Sequence, residues 1–157
     1  MARHFLVPID GSELTAPAVS AVLDLAAASQ AKLTFLHVQP SYYGNPGAAV
    51  YGECLVLDPQ VNRAFSEATA RFARTVLDQA LAQAKERGVS ATAETCVSPL
   101  VHEAIVQAAE RCQCDLIAMA SHSRKGLPGV LLGSETQRVL SHSTVSVLVI
   151  PARSLGA

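Results

Sequence analysis

Long hydrophobic runs are missing from this chain, although half of its 157 residues are hydrophobic. No apolar stretch approaches the roughly 18 residues of a membrane helix, and the N-terminus enters a strand-like segment without the charged region and apolar core of a leader. A cytoplasmic protein with no membrane partner is expected. Clustered charge is missing too. Lysine plus arginine number 12 against 13 acids, the net charge is −1, and no basic cluster exceeds Arg124-Lys125. That leaves no electrostatic footprint for DNA or RNA, so no nucleic-acid partner is expected. The four cysteines, Cys54, Cys96, Cys112 and Cys114, lack the spacing of zinc pairs and read as reduced thiols, with Cys54 the most exposed candidate. His102 and His142 fall on predicted helices with no partnered acid at ligand spacing, so no metal site is expected.

Several signatures of nucleotide and hydrolase chemistry are absent as well. No Gly-x-Gly-x-x-Gly follows the first strand, and no Gly-x4-Gly-Lys-Ser/Thr occurs, which excludes a dinucleotide fingerprint and a Walker loop. No Gly-x-Ser-x-Gly elbow is present, and no catalytic residue stands out.

What is present is an alternation. Phe5 to Ile9, Leu33 to Val38, Ala91 to Val97, Asp115 to Ala120 and Val145 to Ile150 are short apolar runs that read as strands. Helical patterns lie between them. The first carries Val19, Val22, Leu23 and Ala26, with Ser12 or Thr15 as its cap and Pro17 in its first turn. The second carries Phe65, Ala68, Phe72, Val76 and Ala80, read as core, and stops at Gly88. Pro99 begins a third with Ala104, Ile105, Ala108 and Ala109 on one face, and Gly133 to Ser141 forms a fourth. Residues 40–59 hold glycines, prolines and tyrosines and read as a long loop. The length suits one domain, taken as residues 1–157. Buried strands alternating with helices predict an α/β fold, a doubly wound five-stranded parallel sheet with helices on both faces, whose ligands sit beyond the strand C-termini.

One stretch, Met119 to Leu140, combines the end of a strand, a polar loop with glycines, and Gly133-Ser134 opening a helix. Backbone N–H groups at such a helix start can receive an anion. Ala120 and Ser123 are separated by two residues, Ser123 and Gly133 by nine, and Ser134 follows directly. This spacing resembles the Gly-x2-Gly-x9-Gly-Ser/Thr signature of ATP-binding universal stress proteins. Val7-Pro8-Ile9-Asp10-Gly11-Ser12, Leu36-His37-Val38, Asp115-Leu116-Ile117 and Val147-Leu148-Val149-Ile150-Pro151 are similar to the same family. Ala120 and Ser123 stand where its ATP-binding branch has glycines, and Ser98 where that branch often has another.

The resemblance implies a Rossmann-like sheet of order 3-2-1-4-5, of the adenine nucleotide alpha hydrolase type, and a stress-response module that binds ATP, with or without Mg²⁺, and turns it over slowly at most. Carried over by position, Pro8, Ile9 and Asp10 line base and ribose, and Val38 faces the adenine. Ala120, Ser121, His122 and Ser123 form the first phosphate segment, and Gly133, Ser134 and Glu135 the second. An acid at 135 suits the helix dipole but repels a triphosphate unless its orientation or Mg²⁺ intervenes. Asp10 reads equally as an Asx-turn acceptor, and His37 as a satisfied core histidine. The apolar last strand, at a sheet edge, implies a homodimer through that strand, with further protein partners unknown. A dimeric interaction module that binds no nucleotide is the alternative.

Overall fold

The computed structural model describes residues 3–12, 15–41, 59–121 and 132–151. Nine elements alternate along them: β1 (His4–Pro8), α1 (Ala16–Ser29), β2 (Lys32–Gln39), α2 (Pro59–Glu86), β3 (Ala91–Val97), α3 (Val101–Arg111), β4 (Leu116–Ser121), α4 (Ser134–His142) and β5 (Ser146–Pro151). The strands form one parallel sheet in the order β3-β2-β1-β4-β5, as the resemblance implies. Strand order reverses direction at β1. From there the chain winds first to β2 and β3, then crosses to β4 and β5.

Alternation along the strands explains why helices cover both faces. Phe5 and Val7 of β1, with Leu33 and Phe35 of β2, point to the layer containing Val22 and Leu23 of α1 and Val76 and Leu77 of α2. Leu6, Leu36, Ile117 and Met119 point the other way, against Ile105, Ala108 and Ala109 of α3 and Val139 of α4. Fully burying a side chain of this size contributes about 1.5–3 kcal/mol. A strand buried on both sides therefore reads as an unbroken apolar run.

Element boundaries moved slightly. β1 runs 4–8 rather than 5–9, β2 32–39 rather than 33–38, β4 116–121 rather than 115–120, β5 146–151 rather than 145–150, and α4 134–142 rather than 133–141. Thr15 is the N-cap of α1, with Pro17 in the first turn, yet it makes no side-chain cap bond. Its hydroxyl instead donates to the Ser12 carbonyl at 2.6 Å. Pro99 does not begin α3, whose N-cap is Leu100. Ser98 occupies the turn before it, with Oγ accepting the Leu100 N–H at 3.1 Å.

α2 is the larger correction. It has 28 residues, and its buried positions begin only at Ala73. Phe72, expected in the core, is 51% exposed, and Phe65 is half-buried. Phe72 meets His37 of β2 edge-on, ring centroids 5.6 Å apart, and both phenylalanines face a shallow pocket with Asp10, His37 and Val38, so they rest on the rim of the sheet rather than in its core. Gly88, the expected stop of α2, has the left-handed φ of +67° that makes glycine the suitable residue there.

Candidate functional site

At the C-terminal rim of the sheet, where order switches between β1 and β4, lies a cleft of about 750 Å³. Eight of the expected residues line it: Pro8, Ile9, Asp10, Val38, Ala120, Gly133, Ser134 and Glu135. Ser121 is buried at the end of β4 beside them, outside the lining. His122 and Ser123 lie outside the described residues, as do Cys54, Arg124 and Lys125. Thr15, Leu36, Val101, Ile105, Met119 and Thr136 also line the cleft, although none was expected to. Val101 and Ile105 are one turn apart on α3, so helical spacing could have shown that one face reaches the rim.

The apolar wall follows from the sheet. Leu36, Val38 and Met119 close one side, and Val101 and Ile105 approach from α3. Ile9 is fixed by two bonds. Its N–H donates to the Leu36 carbonyl at 2.9 Å, and its own carbonyl accepts from His37 Nδ1 at 2.8 Å. His37 is therefore a satisfied, buried histidine whose Nδ1 carries the proton. Asp10 follows β1 and is exposed, with Oδ1 accepting the Ser12 N–H at 2.9 Å. It makes the Asx turn and lines the cleft at once.

The opposite end is polar. Gly133 is the N-cap of α4, with φ −67° and ψ 156° and no side-chain cap bond. Those dihedrals suit any residue, so glycine is not required by the backbone. What it supplies is the absence of a side chain over the first-turn N–H groups, which a Ser, Asp or Asn at this position would cover. An anion can approach there along the positive end of the helix dipole.

Ala120 belongs to β4 and pairs with Ile150, so the position where the resemblance places a glycine of the ATP-binding branch has extended backbone here. Its methyl introduces no left-handed strain. Glu135 points its side chain away from a bare encounter with phosphate. Its backbone is in the first turn of α4, but its carboxylate is engaged with the neighbouring helix and with Arg138, whose guanidinium donates to Oε1 at 2.9 Å. That orientation removes much of the conflict between an acid and an anionic ligand.

The thiols on the described chain are free. Burial, together with the neighbouring Cys112, pushes the Cys114 thiol up to about 12, and burial raises Cys96 and Cys112 as well. They are protonated, weak nucleophiles near neutrality. Among the described residues no group of three or more His, Cys, Asp or Glu is arranged to hold a metal. None of the described helices is long and apolar enough to cross a membrane.

A parallel sheet of order 3-2-1-4-5, with an apolar cleft at its topological switch and a bare helix N-terminus at one end, defines a doubly wound α/β domain built around a rim site. Within that class the assignment is specific. Residues 1–151 match the sequence model of the universal stress protein family, and the chain belongs to that family. Universal stress protein YxiE of Bacillus subtilis is 30% identical over 150 residues, covering 96% of this chain and 99% of that protein. Among solved structures, a universal stress family protein from Burkholderia pseudomallei shares 28% identity over 96% of each chain, with a TM-score of 0.74. A universal stress protein in complex with cAMP shares the fold at 24% identity and a TM-score of 0.66, over 97% of this chain and 98% of its own.

Proposed function

We propose that this protein binds an adenine nucleotide, ATP, in the rim cleft and acts as a dimeric cytoplasmic sensor or regulator in a stress response. The observation that carries the reading is the pairing of an apolar wall, Val38, Val101 and Ile105, with the uncapped N-terminus of α4 at Gly133. One end suits a base and the other a phosphate. The volume, about 750 Å³, falls in the range of small-molecule sites. The cAMP held by a relative of the same fold is an adenine nucleotide as well. Mg²⁺, if bound with ATP, would take most of its oxygens from the phosphates and water.

We infer that the dimer forms through β5. It is an edge strand whose Val147, Leu148, Val149 and Ile150 are all only half-buried, and a second copy of the strand would cover them. Light scattering on the eluting protein tests this, and a monomer at micromolar concentration would sink it.

A nucleotide-free interaction module is the second reading, favoured by Asp10, whose Oδ1 is already used by its own turn. Equilibrium titration of the stripped protein with ATP, AMP and cAMP separates the two. Saturable binding of ATP below about 100 μM supports the first reading, and no binding of any of them at about 1 mM supports the second.

A further inference from the structure

α3 has no side-chain cap from its own N-cap residue, Leu100. Its cap comes from the neighbouring helix. Glu135 Oε2 accepts the His102 backbone N–H at 3.1 Å, in the first turn of α3, while Oε1 is held by Arg138 at 2.9 Å. A carboxylate at that place satisfies an orphan donor and sits at the positive end of the α3 dipole.

The same oxygen is 3.5 Å from His102 Nδ1, too long for a well-formed hydrogen bond. The His102 side chain is only 10% exposed, and Nδ1 is buried with no hydrogen-bond partner. On its other side the ring meets His142, centroid to centroid 5.3 Å, and His142 Nδ1 is spent on the Arg138 carbonyl at 2.7 Å. A buried, unpartnered ring nitrogen thus faces a carboxylate oxygen a few tenths of an ångström beyond hydrogen-bond length. The cleft lies between the two helix starts that this contact joins, with Val101 on one and Gly133, Ser134 and Glu135 on the other.

We propose that Glu135 is a positioning residue of the cleft: it fixes the start of α4 against the start of α3, and His102 completes the attachment by donating Nδ1–H to Oε2 when an adenine nucleotide fills the space between them. This rests on the nucleotide reading above. The ligand draws the phosphate-facing end of α4 and the base-facing end of α3 together, and the unmade bond closes.

The experiment uses the full chain with ¹⁵N-labelled histidine side chains. Saturating ATP is expected to bring the His102 Nδ1 proton into the hydrogen-bonded range in the wild type and not in Glu135→Ala. Glu135→Ala is expected to bind ATP about tenfold more weakly, whereas Glu135→Gln, whose amide oxygen still accepts the His102 N–H although its NH2 no longer accepts from Arg138, is expected to lose less than Glu135→Ala. Wild-type affinity in Glu135→Ala, or a His102 ring signal unchanged by saturating ATP, would overturn the proposal. A ligand-free measurement stands beside it: the His102 amide should exchange with solvent faster in Glu135→Ala than in Glu135→Gln, and equal rates would remove the cap itself. If ATP fails to bind the wild type while that difference persists, the nucleotide reading and the closing step fall together and only the cap between helices survives.

Discussion

Ala120 stands opposite Ile150 in the β4–β5 ladder, with both residues in extended backbone. The position therefore does not need glycine, and the methyl costs the cleft only its own volume. Ala120→Gly is expected to raise ATP affinity by less than about threefold while lowering stability by about 0.5–1 kcal/mol, the usual cost of glycine in a strand. Titration and urea unfolding read the two effects. A tenfold gain in affinity would mean that the methyl obstructs the ligand.

Gly133→Asp should separate stability from binding. Aspartate is a better N-cap than glycine by a few tenths of a kcal/mol, so the melting temperature should hold or rise slightly. The same carboxylate would occupy the first-turn N–H groups of α4 and repel an anion. ATP affinity is expected to fall more than about tenfold. A variant that melts like the wild type and binds like it would exclude the α4 terminus from the site.

Gly11 follows Asp10 with φ +79°, and an added Cβ would lie 2.6 Å from Val76 Cγ2 and 2.8 Å from Phe72 Cζ. Left-handed backbone with a side chain costs about 1–2 kcal/mol, and overpacking adds to it. Gly11→Ala should therefore destabilise by about 2 kcal/mol or more, measured as a shift in the urea midpoint. A change below about 0.5 kcal/mol would show that the turn after β1 relaxes freely.

Acid should act in two steps. Burial, then the nearby Lys32, holds the His4 imidazole below its ordinary 6.5, with Asp115 opposing in part. The unfolded chain then takes up the proton first, so this contribution is complete above pH 6.5 and is lost as pH falls through the folded value. For Asp115, burial pushes the carboxyl up, but the backbone N–H groups of Arg3 and His4 outweigh it and hold the group below 3.8. That contribution is present above pH 3.8 and is lost as pH falls further. Unfolding free energy followed against pH should lose the upper step in His4→Gln and the lower one in Asp115→Asn. Wild-type profiles in both variants would refute the assignment.

The parts of this fold that rest on local pattern were legible in the sequence. Runs such as Phe5 to Val7 and Ile117 to Met119 alternate between two cores, so each strand announces itself as apolar on both sides. Gly88 and His37 were readable for similar reasons, since one needs a left-handed stop and the other a buried partner within reach. Strand order is not a local property, and it came only from family resemblance. Phe72 lies at the rim of the sheet against His37, and periodicity reports which side of a helix is apolar, not how deeply that side is covered. The direction of the Glu135 side chain was hidden for another reason. It depends on an orphan N–H of α3, 33 positions away in the chain.

The first half of α2 has a consequence for how the chain is attacked from outside. At 1.5 Å per residue the 28-residue helix is about 42 Å long, well beyond the eight-residue β2, and no described residue from 59 to 72 is buried. About four turns meet the rim of the sheet through Phe65, Ala68, Thr69 and Phe72 without burying any of them, and a free helix of that length is marginal in water. Among the described residues, a protease that needs extended chain is expected to find it there, with Arg63 and Arg71 as trypsin sites. Because β2 pairs with β3 and β1 with β4 across the cut, the two pieces of a chain nicked at that point should stay associated, and the cut should pass unnoticed until the protein is denatured.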